Sequence, residues 1–287
     1  MQKKIKIALC YDFDGTLAPG NMQENSFLPE LEITPKDFWA EVKQVAEEND
    51  MDEILTYMHL MLKKAKIKDQ KIDKKTFVEH GKNIKFFPGV TEWFDNIDKF
   101  GKENDVIIEH YIISSGLREM IKGCAIARKF DYIFASGFLY DQHDVAIWPA
   151  LSVNYTNKTQ YLFRINKGIS NSWDNTTINK FTPDDQRPVP FSNIIYFGDG
   201  ETDIPAMKMV KYQGGTAIAV YPSKKGSRFT KNETKRKKNA EALLEENRAD
   251  YVVEADYSEG HDLDTIVKNI ITIIAKRFEC LVIGAKK

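Results

Sequence analysis

The sequence contains few cysteines and no long apolar run. Cys10, Cys124 and Cys280 stand far apart among 287 residues, and none belongs to a C-x-x-C pair. An odd number of widely spaced cysteines argues against a disulfide framework and favours reduced thiols. Apolar runs such as IITIIA at 270–275 are too short to cross a bilayer, and the N-terminus does not resemble a secretion signal. We therefore expect a cytoplasmic protein with no membrane partner.

The sequence also has no excess of charge of one sign. Lys and Arg number 41 against 42 Asp and Glu, so the whole chain has no electrostatic attraction to nucleic acid. The local exception is 224–238, where eight of fifteen residues are Lys or Arg. We interpret this basic segment as an exposed loop and helix start. The alternative is a binding module that uses the segment to hold an acidic partner.

Several catalytic motifs are missing as well. The chain contains no G-x-S-x-G, H-E-x-x-H, G-x-x-x-x-G-K-[ST] or G-x-G-x-x-G, and its five histidines show no metal-binding spacing. These absences argue against a serine hydrolase, a zinc protease, a P-loop NTPase and a dinucleotide-binding enzyme.

The elements that are present alternate between apolar strands and amphipathic helices. Strands are predicted at 5–11, 105–113 and 193–198, with helices between them, a pattern that favours a parallel sheet covered on both faces. The sequence therefore predicts an α/β fold with a Rossmann-like parallel sheet. Residues 20–86 instead have a helical pattern throughout. We expect a core domain formed by 1–19 and 87–287, and a small helical cap formed by 20–86.

Acidic residues follow two of the predicted strands. Asp12 and Asp14 come directly after the first strand, and Asp199 and Asp203 follow the strand at 193–198. Ligands of open parallel sheets bind at the carboxyl ends of the strands, so these carboxylates can meet there. Like charges raise one another's pKa, and such a cluster therefore needs a positive partner. Oxygen ligands beside a phosphate favour Mg²⁺, which suggests metal-assisted phosphoryl transfer with a carboxylate as the attacking group.

The same segments resemble the motifs of the haloacid dehalogenase superfamily, in its phosphatase branch related to phosphoserine phosphatase. DFDGTL at 12–17 is similar to the first motif, and YIISSGL at 111–117 is similar to the second. NKTQYL at 157–162 supplies a lysine as the third motif does, and IYFGDGETD at 195–203 is similar to the fourth. FFPGV at 86–90 resembles the usual return from the cap to the core.

This resemblance implies a role for each acidic residue. Asp12 would be the nucleophile that forms an aspartyl-phosphate, and Asp14 the general acid that later activates water. Mg²⁺ would be bound by carboxylate oxygens of Asp12 and Asp199 and by the main-chain carbonyl of Asp14. Asp203 would complete the acidic cluster near the metal and the lysine.

The resemblance also implies the residues that bind the phosphoryl group. Ser114 would donate a hydrogen bond to a phosphoryl oxygen, and Ser115 and Gly116 would complete that subsite. Lys158 would neutralise the charge on Asp12 and on the transferring group. Lys167, which also follows an apolar stretch, remains an alternative for the motif lysine, although the spacing after Lys158 fits the family better.

The predicted function is a Mg²⁺-dependent phosphatase that acts on a small phosphorylated metabolite. A phosphotransferase or phosphomutase of the same superfamily is the enzymatic alternative, and a dehalogenase would leave Asp14 without a task. Phosphoserine phosphatases carry an acidic residue nine positions after the nucleophile, where this chain has Asn21, and Thr202 replaces the usual Asn of the fourth motif. These two departures argue against phosphoserine as the substrate.

Overall fold

The computed structural model describes residues 4–223 and 231–284. Its seven strands form one sheet in the order β4-β3-β2-β1-β5-β6-β7, parallel throughout except for β4, which runs antiparallel to β3. The predicted α/β fold with a mostly parallel sheet is thus confirmed. The strands are β1 Ile5–Tyr11, β2 Val106–Leu117, β3 Tyr132–Tyr140, β4 Ala146–Leu151, β5 Ile194–Gly198, β6 Thr216–Tyr221 and β7 Tyr251–Glu254.

Strand β1 lies at the centre of the sheet because its side chains are apolar on both faces. Ile7, Leu9 and Tyr11 enter one core cluster, and Ala8 and Cys10 enter the other. Parallel pairing with β2 on one side and β5 on the other brings the carboxyl ends of these three strands together. That edge is where the sequence places its acidic residues.

Eleven α-helices are assigned within the described residues, and they cover both faces of the sheet. Helices α5 and α11 pack on one face, and α7, α9 and α10 pack on the other. No helix in the described residues is both long and apolar enough to cross a membrane. The helices are α1 Phe27–Glu30, α2 Pro35–Asn49, α3 Glu53–Ile67, α4 Lys74–Gly81, α5 Val90–Glu103, α6 Arg118–Gly123, α7 Lys158–Lys167, α8 Asn175–Asn179, α9 Ile204–Tyr212, α10 Lys231–Glu245 and α11 Asp262–Gly284.

Helices α1 to α4 form the helical insert that the sequence predicts after β1. Side-chain caps begin three of them: Thr34, Asp52 and Asp73 accept backbone N–H bonds in α2, α3 and α4. Helix α4 of the insert packs closely against α6, the helix that follows β2. A Cβ at Gly81 would lie 2.0 Å from the Met120 carbonyl oxygen, so only glycine permits this approach.

One predicted strand ends later in the structure, and one predicted segment lies partly outside the described residues. The strand predicted at 105–113 continues as β2 to Leu117, with a register shift against β3 between Ser114 and Leu117. This irregularity lets a polar segment stay in the sheet while it turns toward the carboxyl edge. Of the basic segment at 224–238, residues 224–230 lie outside the described residues, and the remainder begins α10.

Candidate active site

Asp12 and Asp14 follow β1 at the carboxyl edge of the sheet. The Asp12 backbone N–H donates to the Phe197 carbonyl oxygen at 2.9 Å, which extends the pairing of β1 with β5 by one residue. Residues alternate in direction along an extended chain, so Phe13 enters the core while the two aspartates face the pocket. The Met22 backbone N–H then fixes the Asp14 carboxylate by donating to its Oδ1 at 3.0 Å.

Gly15 brings the turn after β1 into direct contact with the turn after β5. Its φ of +82° lies in the left-handed region, and a Cβ there would stand 2.1 Å from Asp199 Oδ2. Both features require glycine. The close approach places Asp199 beside the residues that follow β1.

Lys158 lies beneath this acidic edge at the first position of α7. Its Nζ is 3.0 Å from Asp12 Oδ1 and 2.7 Å from Asp203 Oδ1, and the residue is fully buried. Lys167 lies at the other end of α7, where its Nζ donates to the carbonyl oxygens of Ile178 and Lys180. The geometry therefore brings Lys158, and not Lys167, to the carboxylates.

Asp203 accepts hydrogen bonds on both carboxylate oxygens. Lys158 and the Tyr196 hydroxyl donate to its Oδ1, the latter at 2.6 Å, and the Asp199 backbone N–H donates to its Oδ2 at 3.1 Å. These bonds hold Lys158 and the turn after β5 in place. Asp203 thereby ties Lys158, β5 and the turn after β5 together beside Asp12 and Asp199.

Burial shifts the pKa values of these acidic groups upward. It raises the pKa of Asp12 to about 6, with Lys158 opposing the rise and Asp203 adding to it. Burial, with Asp203 and Asp12 beside it, raises the pKa of Asp199 to about 7. The pKa of Asp14 lies well above its usual range because of burial and the neighbouring Asp12 charge. The site without a metal therefore disfavours full ionisation of its carboxylates.

The pKa of Lys158 is also raised, which for a lysine favours the charged form. Burial alone would lower the pKa of its ammonium group, but the ion pairs with Asp12 and Asp203 outweigh that effect and raise it. Lys158 consequently stays charged and contributes one fixed positive charge to a site with four aspartates.

The end of β2 lies beside the acidic residues as well, and it contributes Ser114, Ser115 and Gly116 to the site. Ser114 is fully buried, and its Oγ accepts a hydrogen bond from the Gly116 N–H at 3.0 Å, which leaves its own proton free to donate. A Cβ at Gly116 would lie 2.1 Å from Met22 Cε. The Ser115 carbonyl oxygen accepts from the Tyr57 hydroxyl at 2.7 Å, and this bond ties helix α3 to the site.

These segments enclose a pocket of about 540 Å³ that contains Asp12, Asp14 and Asp199. The turns after β1 and β5, the end of β2, the helical insert and α10 all contribute to it. Its further lining residues are Gly20, Asn21, Gln23, Trp39, Glu53, Ile54, Tyr57, Ser114, Ser115, Gly116, Gly200, Thr202, Lys235, Arg236 and Asn239.

The donor set of the pocket fits a hard divalent cation. Carboxylate oxygens of Asp12, Asp199 and Asp203 lie within 4.8 Å of one another. All are oxygen donors, as Mg²⁺ prefers, and the raised pKa values of the buried Asp12 and Asp199 mean that a bound cation would favour their ionised forms. The residues present therefore agree with a metal site centred on Asp12 and Asp199.

Comparison with known proteins identifies the family. The family model described as haloacid dehalogenase-like hydrolase matches residues 9–208, a range that includes every residue of the acidic cluster and Lys158. The chain belongs to this family. Membership confirms the resemblance that the four motifs indicate, and it makes a hydrolase the general class of activity.

Individual relatives agree with this assignment. An uncharacterised protein of Borreliella burgdorferi is 31% identical over 285 residues, covering 90% of this chain and 93% of the relative. A substrate-bound phosphoserine phosphatase has a TM-score of 0.52 at 15% identity, covering 93% of this chain and 99% of that one. A HAD family hydrolase from Salmonella enterica serovar Typhi has a TM-score of 0.50 at 20% identity, and the match covers 77% of this chain and 64% of that one. The two structures share the haloacid dehalogenase fold with this chain.

Sequence reasoning missed three residues of the site. Tyr196 lies within β5, Tyr57 within α3 and Arg236 within α10, where its Nη1 is 3.6 Å from Asp199 Oδ2. Tyr196 carried a weak signal, because it is the single polar side chain in the apolar run IIYFG. Tyr57 carried none, since the local pattern of α3 does not show what the helix packs against. Arg236 belongs to the basic segment 224–238, whose charge does not indicate Asp199 as the partner.

Proposed function

We propose that this hydrolase is a Mg²⁺-dependent phosphatase that forms an aspartyl-phosphate on Asp12. One observation carries the proposal: Lys158 Nζ bridges Asp12 and Asp203 in a buried cluster whose oxygens could bind one cation. A carboxylate can attack phosphorus when it is ionised and held in position. Lys158 favours that ionised form, and Asp203 and Tyr196 hold Lys158 in place.

The remaining residues support the two proton transfers and the binding of phosphate. Asp14 is held by the Met22 N–H, and burial with the neighbouring Asp12 charge raises its pKa, which favours the protonated form that a general acid needs. Once the leaving group has taken that proton, the Asp14 carboxylate can accept one from the attacking water. The Ser114 hydroxyl can donate to a phosphoryl oxygen. Mg²⁺, bound by Asp12 and Asp199 with the main-chain carbonyl of Asp14, would neutralise charge on the phosphoryl oxygens.

The helical insert is proposed to act as the cap, with 20–86 as its bounds and 1–19 with 87–287 as the core. Tyr57 supports this division because it reaches from α3 to the Ser115 carbonyl oxygen beside the site. Closure of such a cap would exclude water from the transferring phosphoryl group.

Phosphoserine remains a poor candidate for the substrate. Asn21 occupies the position of the usual acidic residue, and the nearby Glu24 is already engaged. Glu24 Oε1 accepts hydrogen bonds from Asn21 Nδ2 and from Trp39 Nε1, each at 2.7 Å. Glu24 is thereby held against Asn21 and Trp39, and it is not among the residues that line the pocket.

Phosphate release from 4-nitrophenyl phosphate, with Mg²⁺ or with EDTA, tests the proposal. We expect Mg²⁺-dependent release that Asp12→Asn abolishes, while Asp14→Asn accumulates a phosphorylated protein detectable by intact mass. Lys167→Gln is the matched control for Lys158→Gln, because both lysines belong to α7 but Lys167 contacts carbonyl oxygens away from the cluster.

Two results would contradict the proposal. Near-normal turnover by Asp12→Asn would exclude Asp12 as the nucleophile. Transfer of phosphate to an added alcohol or sugar without release of free phosphate would identify a phosphotransferase instead.

A further inference from the structure

A second cavity adjoins the active-site pocket. It measures about 650 Å³, against about 540 Å³ for the pocket itself. Four residues line both spaces, and we call them the α10 junction: Gly20, Lys235, Arg236 and Asn239. A ligand that begins at Asp12 can therefore extend past the α10 junction into the second cavity.

The α10 junction is basic. Lys235 and Asn239 are one helical turn apart and lie on the same side of α10. Arg236 Nη1 lies 3.6 Å from Asp199 Oδ2, which is an ion pair longer than a direct hydrogen bond. A guanidinium has five N–H donors, so this ion pair leaves Arg236 able to bind a ligand.

The second cavity differs in character from the acidic pocket. One side of it is formed by proline and phenylalanine side chains from the turn after β1, the segment before α5 and the end of β6. Such a surface suits a flat apolar group. The proline and phenylalanine residues that form this side of the second cavity are Pro19, Phe86, Phe87, Pro88 and Pro222.

The phosphoryl group does not need the cations of the α10 junction. Lys158 already supplies a buried positive charge at Asp12, and the acidic cluster fits a divalent ion. Lys235 and Arg236 stand instead where the leaving group must pass between the two cavities. Positive charge at that point favours a leaving group with its own negative charge.

We propose that the substrate is an elongated phosphomonoester whose leaving group carries a second anionic group bound at the α10 junction. The apolar part of that leaving group would occupy the second cavity. This inference rests on the proposed phosphatase activity and specifies its substrate class. It also gives a function to the described part of the basic segment.

Matched aryl phosphates test the substrate class. Phenyl phosphate, 4-carboxyphenyl phosphate and 4-(aminomethyl)phenyl phosphate present a neutral, an anionic and a cationic para position, and kcat/KM is measured for each with Mg²⁺. We expect the carboxylate ester to be the best substrate and the aminomethyl ester the poorest. In Lys235→Gln the ratio of carboxylate to neutral ester should fall about tenfold, the effect of one hydrogen bond to a charged group. Comparing ratios between variants cancels the different reactivities of the esters.

Lys237→Gln is the control on the same helix. Lys237 Nζ lies 3.7 Å from Glu241 Oε1 and 5.2 Å from the centroid of the Tyr221 ring, away from both cavities. This variant should keep the wild-type ratio. An equal ratio in wild type and Lys235→Gln would overturn the substrate class, while Mg²⁺-dependent hydrolysis of phenyl phosphate would leave the phosphatase proposal standing.

Binding measurements decide the substrate class even without turnover. Benzylphosphonate and 4-carboxybenzylphosphonate mimic two of the esters and cannot be hydrolysed, and calorimetry gives their Kd values. Tighter binding of the carboxylate by wild type, lost in Lys235→Gln, would support the proposal. Equal binding of the two phosphonates would overturn it. A protein that binds the carboxylate form preferentially but hydrolyses none of the esters would refute the phosphatase proposal alone.

Discussion

Asp12→Asn should abolish turnover and yet stabilise the protein when no metal is present. Burial raises the pKa of Asp12 to about 6 from its usual 3.8, even with Lys158 opposing the rise. The folded state therefore disfavours the Asp12 charge by about 2 pKa units, or about 3 kcal/mol at 1.36 kcal/mol per unit. Asparagine has nearly the same shape and carries no charge, so it removes this penalty.

The sign of the effect predicts its dependence on pH. Below about pH 4 Asp12 is protonated in both the folded and unfolded states, and it contributes no penalty. Because the folded-state pKa is the higher one, the penalty grows as pH rises from about 4 and is complete above about 6. The stability difference between Asp12→Asn and wild type should grow over the same interval.

Thermal unfolding followed by circular dichroism in EDTA measures this difference. At pH 7.5 we expect Asp12→Asn to raise Tm by roughly 5 °C. Mg²⁺ should then stabilise wild type more than the variant, because it would neutralise the charge that asparagine lacks. Asp203→Asn is the control of opposite sign: an amide cannot accept from all the donors at Asp203, so Tm should fall. A loss of stability in Asp12→Asn in EDTA would refute the reasoning.

Three further predictions concern residues that hold the site together. Gly15→Ala forces an L-residue to φ +82° and places a Cβ 2.1 Å from Asp199 Oδ2, so turnover and Mg²⁺ affinity, measured by kinetic titration, should both fall more than tenfold. Tyr196→Phe removes the 2.6 Å donor to Asp203 and should lower kcat about tenfold, with KM nearly unchanged in steady-state assays. Asp52→Ala removes the N-cap of α3 and the hydrogen bonds that Asp52 accepts from Ser152 and Asn154 after β4. Urea unfolding should show that the free energy of unfolding falls by about 2 kcal/mol. Unchanged values in any one of these measurements would contradict the role given to that residue.

Much of the fold could be predicted because its signals are local. The apolar run of β1 at 5–11 and the helical pattern within 20–86 each depend on neighbouring residues, and both appear in the structure as expected. The end of β2 could not be predicted, because SSG reads as a loop unless its pairing with β3 is known. The pairing depends on a strand that begins later in the chain.

Some residues of the candidate site could likewise be predicted from local sequence, whereas their contacts could not. Asp12 and Asp199 were found from sequence because each follows a predicted strand. The resemblance implied that Asp203 lies near the lysine, but its bonds with the Tyr196 hydroxyl and the Asp199 backbone N–H exist only in the folded chain and could not be predicted. Hydrogen-bond partners are a property of the packed structure, whereas position after a strand is a property of the sequence.

The sequence by itself determined the strand ends, the acidic residues on them and the family to which they point, because these depend on local pattern and spacing. The tertiary structure decided which lysine meets those acids and which helix closes the pocket. Lys158 and Lys167 belong to one helix; the spacing of the motif favours Lys158, and the packing of α7 places its Nζ 3.0 Å from Asp12 Oδ1 while Lys167 contacts the Ile178 carbonyl oxygen. Arg236 reaches Asp199 because α10 packs beside that edge of the sheet, a contact that no local pattern encodes.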